Sequence, residues 1–113
     1  MLIKKSQRKK KQLAREAFVY EYPNAGKELG IAVVELNGRV PDEGMIKNQV
    51  CYETYYVMSG SAQVFIHGDI MDIGEGDVLQ IKPGQKYYIE ASNLKLMVST
   101  APAFYPEQWE NIK

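Results

Sequence analysis

Histidine and cysteine are nearly missing from this chain, which has one of each, His67 and Cys51, in 113 residues. One thiol excludes an intramolecular disulfide and a cysteine-based metal cluster, and it fits a cytoplasmic, reducing setting. Long hydrophobic runs are missing too. No apolar stretch approaches the roughly 18 residues of a membrane span, so no transmembrane helix and no membrane partner are expected. The basic N-terminus is not followed by an apolar segment, so a secretory signal is not expected. Acid is absent from residues 1–15, which carry Lys4, Lys5, Arg8, Lys9, Lys10, Lys11 and Arg15. The formal net charge of zero therefore hides a basic arm on a body with seven Lys and Arg against fourteen Asp and Glu.

What is present fits one soluble globular domain, long enough to bury a modest core. Residues 4–17 (KKSQRKKKQLAREA) favour helix by propensity but have no sustained apolar face. A basic arm or short helix is expected over 1–17, with Leu13, Ala14, Ala17 and Phe18 able to dock one turn. From 18 to 113 the texture is that of a β domain. FVYEY (18–22) ends at a Pro23-Asn24-Ala25-Gly26 turn, and LGIAVVEL (29–36) ends at Asn37-Gly38, a dipeptide suited to tight turns with positive φ. MIKNQVCYETYYVM (45–58) reads as one long or bulged strand closed by Ser59-Gly60. AQVFI (62–66) and IMDI (70–73) flank a hairpin tip at His67-Gly68-Asp69. VLQI (78–81), KYYIEA (86–91) and LKLMVST (94–100) follow, the last two separated by Ser92-Asn93. In the tail, Pro102 and Pro106 interrupt regular pairing, and Phe104, Tyr105 and Trp109 are expected to cover apolar surface on the outside of the sheets. About eight short strands at intervals of roughly 8–12 residues are the pattern of a sandwich or barrel rather than of βαβ units.

Two segments are more specific. Residues 53–60 (ETYYVMSG) follow E-x-x-Y-V-x-x-G, and residues 76–84 (GDVLQIKPG) follow G-D-x-x-x-I-x-P-G. In this order, joined by a hairpin, they resemble the two motifs of the cupin superfamily over about residues 30–100. The resemblance implies an all-β fold, a cupin-type double-stranded β-helix (jelly-roll barrel) open at one end, with a pocket inside. In metal-dependent cupins an H-x-H pair precedes the glutamate, and a further histidine follows the second turn. Here the glutamate is Glu53. The preceding positions fall at Lys47 and Gln49, or at Ile46 and Asn48 with a one-residue bulge, and the later one falls at Tyr87. None is histidine, and His67 lies at a hairpin tip. One carboxylate with amides and a phenol is a poor transition-metal site, so no bound catalytic metal and no other cofactor are expected.

Strand alternation places Cys51, Glu53, Tyr55 and Val57 on one face, joined by Asn48 or Gln49 according to the bulge. Tyr87 and Ile89 share a face on a neighbouring strand, and Gln80 and Lys82 are placed at the mouth. Glu53 and Tyr87 are the candidate catalytic acid/base pair, because a carboxyl among tyrosines should hold its proton to higher pH. Asn48, Gln49, Tyr55, Gln80 and Lys82 are the candidate ligand-binding residues. Cys51 has no base beside it and reads as a small buried hydrophobe.

Three roles stay open: a metal-free module binding a small organic metabolite such as a sugar or sugar derivative; a metal-independent sugar isomerase or epimerase using Glu53 and Tyr87; and a ligand-sensing regulator whose basic arm touches nucleic acid. The third is the weakest, because no recognition helix is evident and no aromatics interleave with the basic residues, so nucleic acid is not an expected partner. A homodimer is expected, since FVYEY and LGIAVVEL would leave open edges in a monomeric barrel.

Overall fold

The computed structural model describes residues 1–23 and 26–113; the expected turn at 23–26 includes Asn24 and Ala25, outside the described residues. Among the described residues nine strands form one curled sheet: β1 (Lys9–Ala14), β2 (Ala17–Glu21), β3 (Gly30–Val40), β4 (Met45–Asn48), β5 (Tyr52–Ile66), β6 (Asp69–Gly74), β7 (Val78–Ile81), β8 (Lys86–Ala101) and β9 (Trp109–Ile112). The hydrogen-bonded path runs β1-β2-β3-β8-β4-β9, and β5 pairs with β6, β7 and β8. Among the described residues no helix is long and apolar enough to cross a membrane.

The frame of the barrel is the antiparallel ribbon of β5 and β8, registered from Tyr52 opposite Ala101 to Ile66 opposite Tyr87. Its ladder shifts between Val57 and Ser61, where Gly60 (φ 81°) meets Asn93 (φ 46°). A Cβ at Gly60 would strike the Asn93 carbonyl, so only glycine permits this approach. The bulges bend the ribbon and bring its two ends towards each other. Alternate residues then face inward. Val57, Val64, Ile89, Leu94 and Leu96, all at 2% exposure or less, form the centre of the core.

Several expectations need correction. Ser59-Gly60 and Ser92-Asn93 do not end strands; they are corners within β5 and β8. Asn37-Gly38 likewise lies inside β3, where Gly38 (φ 76°) sits at a bulge against β8. Left-handed residues suit bulges as well as turns, and local sequence does not distinguish the two. The expected strand over 45–58 is interrupted at 49–51, because the amides of Gln49, Val50 and Cys51 turn to Gln108. The tail pairs as well, with β9 antiparallel to β4. His67 and Gly68 do form the tip between β5 and β6.

The basic segment is not helical. After a 3-10 turn at Lys5–Gln7, β1 pairs with β2. The Arg8 guanidinium lies 4.5 Å from the centre of the Tyr20 ring, Lys10 Nζ lies 4.6 Å from that of Phe18, and Lys11 pairs with Glu21 at 3.0 Å. These cross-strand partners outweigh a weak helical propensity. They also interleave cations with aromatics in space, which the linear sequence does not do. The edges assigned to a dimer are filled within the chain: β2 lies between β1 and β3, and β3 between β2 and β8. On that side the free edge belongs to β1.

Candidate functional site

Bending the β5–β8 ribbon brings Glu53, near the start of β5, to Tyr87, near the start of β8. Tyr87 Oη donates to Glu53 Oε1 at 2.7 Å, and Asn48 Nδ2 donates to the same oxygen. The hydroxyls of Tyr55 and Tyr87 lie 3.0 Å apart. Behind Asn48, Gln108 Nε2 donates to Asn48 Oδ1 at 2.8 Å, and Gln108 Oε1 accepts from the backbone amides of Val50 (3.2 Å) and Cys51 (3.0 Å). A chain of five side chains, Tyr55–Tyr87–Glu53–Asn48–Gln108, therefore runs from the barrel interior to the backbone that interrupts β4 and β5. Its inner end has little else to bond to, so each link positions the next.

Burial pushes the Glu53 carboxyl above its ordinary range, partly offset by the hydrogen bonds from Tyr87 and Asn48, which favour the charged form. Burial, reinforced by the Glu53 charge, pushes both Tyr55 and Tyr87 well above the usual phenol value. The phenols are thus proton-bearing donors and Glu53 is the group that titrates. Burial also raises the Cys51 thiol, with Glu53 adding to the effect, and its Sγ donates to the Pro102 carbonyl at 3.4 Å. A protonated, hydrogen-bonded thiol is not a nucleophile.

Glu53, Tyr55, Tyr87 and Thr100 line one wall of a cavity of about 290 Å³. The rest of the lining is largely apolar, including Val34, Ile46, Ile89, Leu96 and Val98, with Tyr22, Phe104, Trp109 and the ion pair of exposed Lys11 with half-buried Glu21 also on it. Of the sequence-derived residues, Glu53, Tyr87, Tyr55 and Asn48 come together. Asn48 rather than Gln49 turns inward; Gln49 is exposed and bonds Glu110 at 3.3 Å. Gln80 and Lys82 are not at the cavity. Leu79 and Ile81 take the inward positions of β7, which leaves Gln80 exposed on the outer face, and Lys82 is exposed in the turn that follows. Two residues were missed. Thr100 was accessible through its alternation with Leu96 and Val98. Gln108, in an irregular tail, had no sequence signal.

The donors around Glu53 do not suit a transition metal. They are an amide and two phenols that hold their protons, and the described residues contain no cluster of three His, Cys, Asp or Glu.

No protein-family model and no curated sequence matches the chain. Solved structures do. Pac13, a nucleoside dehydratase, aligns at TM-score 0.87 with 15% identity, over 100% of this chain and 91% of that one. A variant of Streptomyces PAC13 solved with uridine aligns at 0.87 with 15% identity, over 100% and 90%. KdgF from Halomonas sp. aligns at 0.73 with 11% identity, over 92% and 96%. Oxalate decarboxylase from Bacillus subtilis aligns at 0.75 with 20% identity, over 96% of this chain and 31% of that one. The fold is that of the cupin barrels.

Proposed function

We propose that this protein holds a small neutral organic metabolite in the cavity beside Glu53, with Glu53, Tyr87 and Tyr55 as its polar anchor. The observation that carries the reading is the distribution of polarity. A largely apolar cavity of about 290 Å³ has a hydrogen-bonded cluster of Glu53, Tyr55 and Tyr87 on its lining, with the Lys11–Glu21 ion pair elsewhere on it, the pattern of a site that encloses a ligand by its apolar surface and orients it by a few polar groups. The volume suits a nucleoside or a monosaccharide derivative, and Tyr22, Phe104 and Trp109 offer flat faces to a ring. The uridine complex of a protein with this fold supports the size class.

A second reading is acid–base turnover without a metal. It is favoured by the 2.7 Å bond between Tyr87 and a carboxyl whose pKa burial raises above the ordinary carboxylate range. Glu53 would take a proton through Oε2 from a ligand carbon beside a carbonyl, while Tyr87 turns its one hydroxyl proton from Glu53 Oε1 to the oxygen that gathers charge. Returning the proton from Glu53 to the other face or the adjacent carbon completes an epimerisation or isomerisation with no co-reactant.

Thermal-shift and calorimetric titrations with uridine, neutral sugars and nucleotide sugars test the binding reading. At least one should raise the melting temperature of the wild type and leave Glu53→Gln unmoved. A shift retained in Glu53→Gln places the ligand elsewhere. For a ligand so found, deuterium wash-in from solvent separates turnover from holding.

A further inference from the structure

The basic segment has no part in the cavity network, and most of its charge is unmatched. Of the seven cations in residues 1–15, Lys11 is ion-paired, with Glu21, and the other six have no carboxylate within ion-pair distance among the described residues. Strand alternation sorts them by face. Lys11 and Leu13 of β1 line the cavity, so Lys10 stands on the outer face of the sheet. There it meets rings. Lys10 Nζ lies 4.6 Å from the centre of Phe18 and 5.8 Å from that of Tyr20, and the Arg8 guanidinium lies 4.5 Å from that of Tyr20. The basic run has no aromatic residue of its own, which by itself speaks against a nucleic-acid partner. Pairing with β2 supplies them.

The ladder carries the pattern across the sheet. Lys10 is opposite Tyr20, Tyr20 opposite Val33, Val33 opposite Met97, Met97 opposite Tyr56 and Tyr56 opposite Val78. Their strand neighbours Val34, Leu96 and Leu79 are buried, so this row crosses six strands on the outside of the barrel. An outer sheet face that met only water would carry polar residues here. Instead the row starts at a cation and ends uncovered, with Tyr56 43% and Val78 61% exposed. Lys95 is on the same face, two residues from Met97 and opposite Glu35. From Lys10 to Tyr56 the row spans four strand separations, about 19 Å.

We infer that this outer face binds single-stranded nucleic acid. Arg8, Lys10 and Lys95 neutralise phosphates, and Tyr56 and the Arg8 guanidinium on Tyr20 stack against bases. A cationic track beside aromatic faces is what a single strand needs, since charge holds its phosphates and stacking holds its bases. A duplex keeps its bases stacked on one another and offers the apolar middle of the row nothing. An acidic peptide would leave that middle unused.

The test is fluorescence anisotropy of a labelled oligothymidylate of about twelve nucleotides, over a salt titration. Wild-type affinity should fall as roughly the square of the salt concentration, as for three neutralised phosphates. Arg8→Gln with Lys10→Gln should bind at least about tenfold more weakly at low salt. Tyr56→Ala should bind about tenfold more weakly with its salt dependence unchanged. Lys86→Gln, where β8 pairs with β4, and Glu53→Gln should leave binding nearly unchanged. If the double variant melts early because β1 comes loose, Lys95→Gln repeats the test from a strand paired on both sides and should weaken binding severalfold. The inference is overturned if the oligonucleotide is not retained at low salt. It is overturned if inorganic polyphosphate competes equally well and Tyr56→Ala binds like wild type, which is attraction of charge alone. Binding to phosphatidylserine vesicles in place of the oligonucleotide overturns it, and so does a dimer that Tyr56→Ala dissociates and that binds no oligonucleotide. Loss of binding in Glu53→Gln would put a base in the cavity and overturn the outer-face site. The cavity reading stands under each of these outcomes.

Discussion

The two ends of the barrel interior are built by opposite rules. At the corner where the β5–β8 ribbon bends, Val57, Ala62, Val64 and Leu94, with Ile73 of β6, are buried and wholly apolar. At the open end stand the buried polar residues among those described, Asn48, Thr100 and Gln108, together with Glu53, Tyr55 and Tyr87. β5 and β8 supply most of both ends. The corner stabilises by excluding water from hydrocarbon, which needs only shape and hydrophobicity. The open end holds a carboxyl where burial opposes its charge, a cost that the proposed ligand site would account for. The difference teaches where to expect stability and where to expect chemistry in this fold.

The contrast can be broken or sharpened by substitution. The largest effect should come at the corner. Leu94→Ala should destabilise by about 3 kcal/mol in urea denaturation, through lost burial and a residual cavity, and leave ligand affinity in the surviving folded protein within twofold. A loss under 1 kcal/mol would mean that the corner is not the structural half. Next comes the back of the polar chain. Gln108→Ala removes the acceptor for the Val50 and Cys51 amides and the donor to Asn48, and should cost about 2 kcal/mol by leaving buried groups unpaired. It should also loosen Asn48, visible as faster hydrogen exchange at residues 48–51.

Smaller effects belong to the site itself. Tyr87→Phe should cost about 1 kcal/mol. It should also move the Glu53 titration upwards, followed by carboxyl-carbon NMR, because the Tyr87 hydrogen bond is what pulls that pKa down against burial. The smallest is a pH effect. Glu53 has a raised pKa in the folded state, so the folded protein binds this proton more tightly than the unfolded chain. The associated stability is complete below the ordinary value of 4.5 and is lost as pH climbs through the raised one. Glu53→Gln cannot ionise, so its melting temperature should gain on the wild type as pH rises from about 4.5 through the raised value and keep a constant lead above it. A difference constant across pH would show that Glu53 titrates normally.

How much was legible in advance differed between elements. Strand identity along 62–66 and 78–81 matches alternation, because each is a half-buried strand whose inward residues are apolar; along 70–73 only Ile73 is buried, and the strand was legible from its flanking turns. Glu53 and Tyr87 followed from motif position, and their contact could be anticipated only through the resemblance. The basic segment misled, because lysine-rich runs favour helix locally and nothing within residues 1–15 announces the pairing with Phe18 and Tyr20. Gln80 and Lys82 misled for a simpler reason: shifting a strand by one residue exchanges its two faces.

By itself the sequence determined an all-β chain with periodic inward residues, a single acidic candidate at Glu53, and too few histidine and cysteine ligands for a metal centre built on them. These depend on residue type and local period, which the chain carries along its length. Only the tertiary structure decided that Ser59-Gly60 and Ser92-Asn93 are bends rather than ends. It also decided that the bend delivers Tyr87 to Glu53, and that Thr100 and Gln108 complete the wall. Those contacts join residues 34 to 60 positions apart, and their geometry is set by ladder register and bulges. A local window of sequence contains neither.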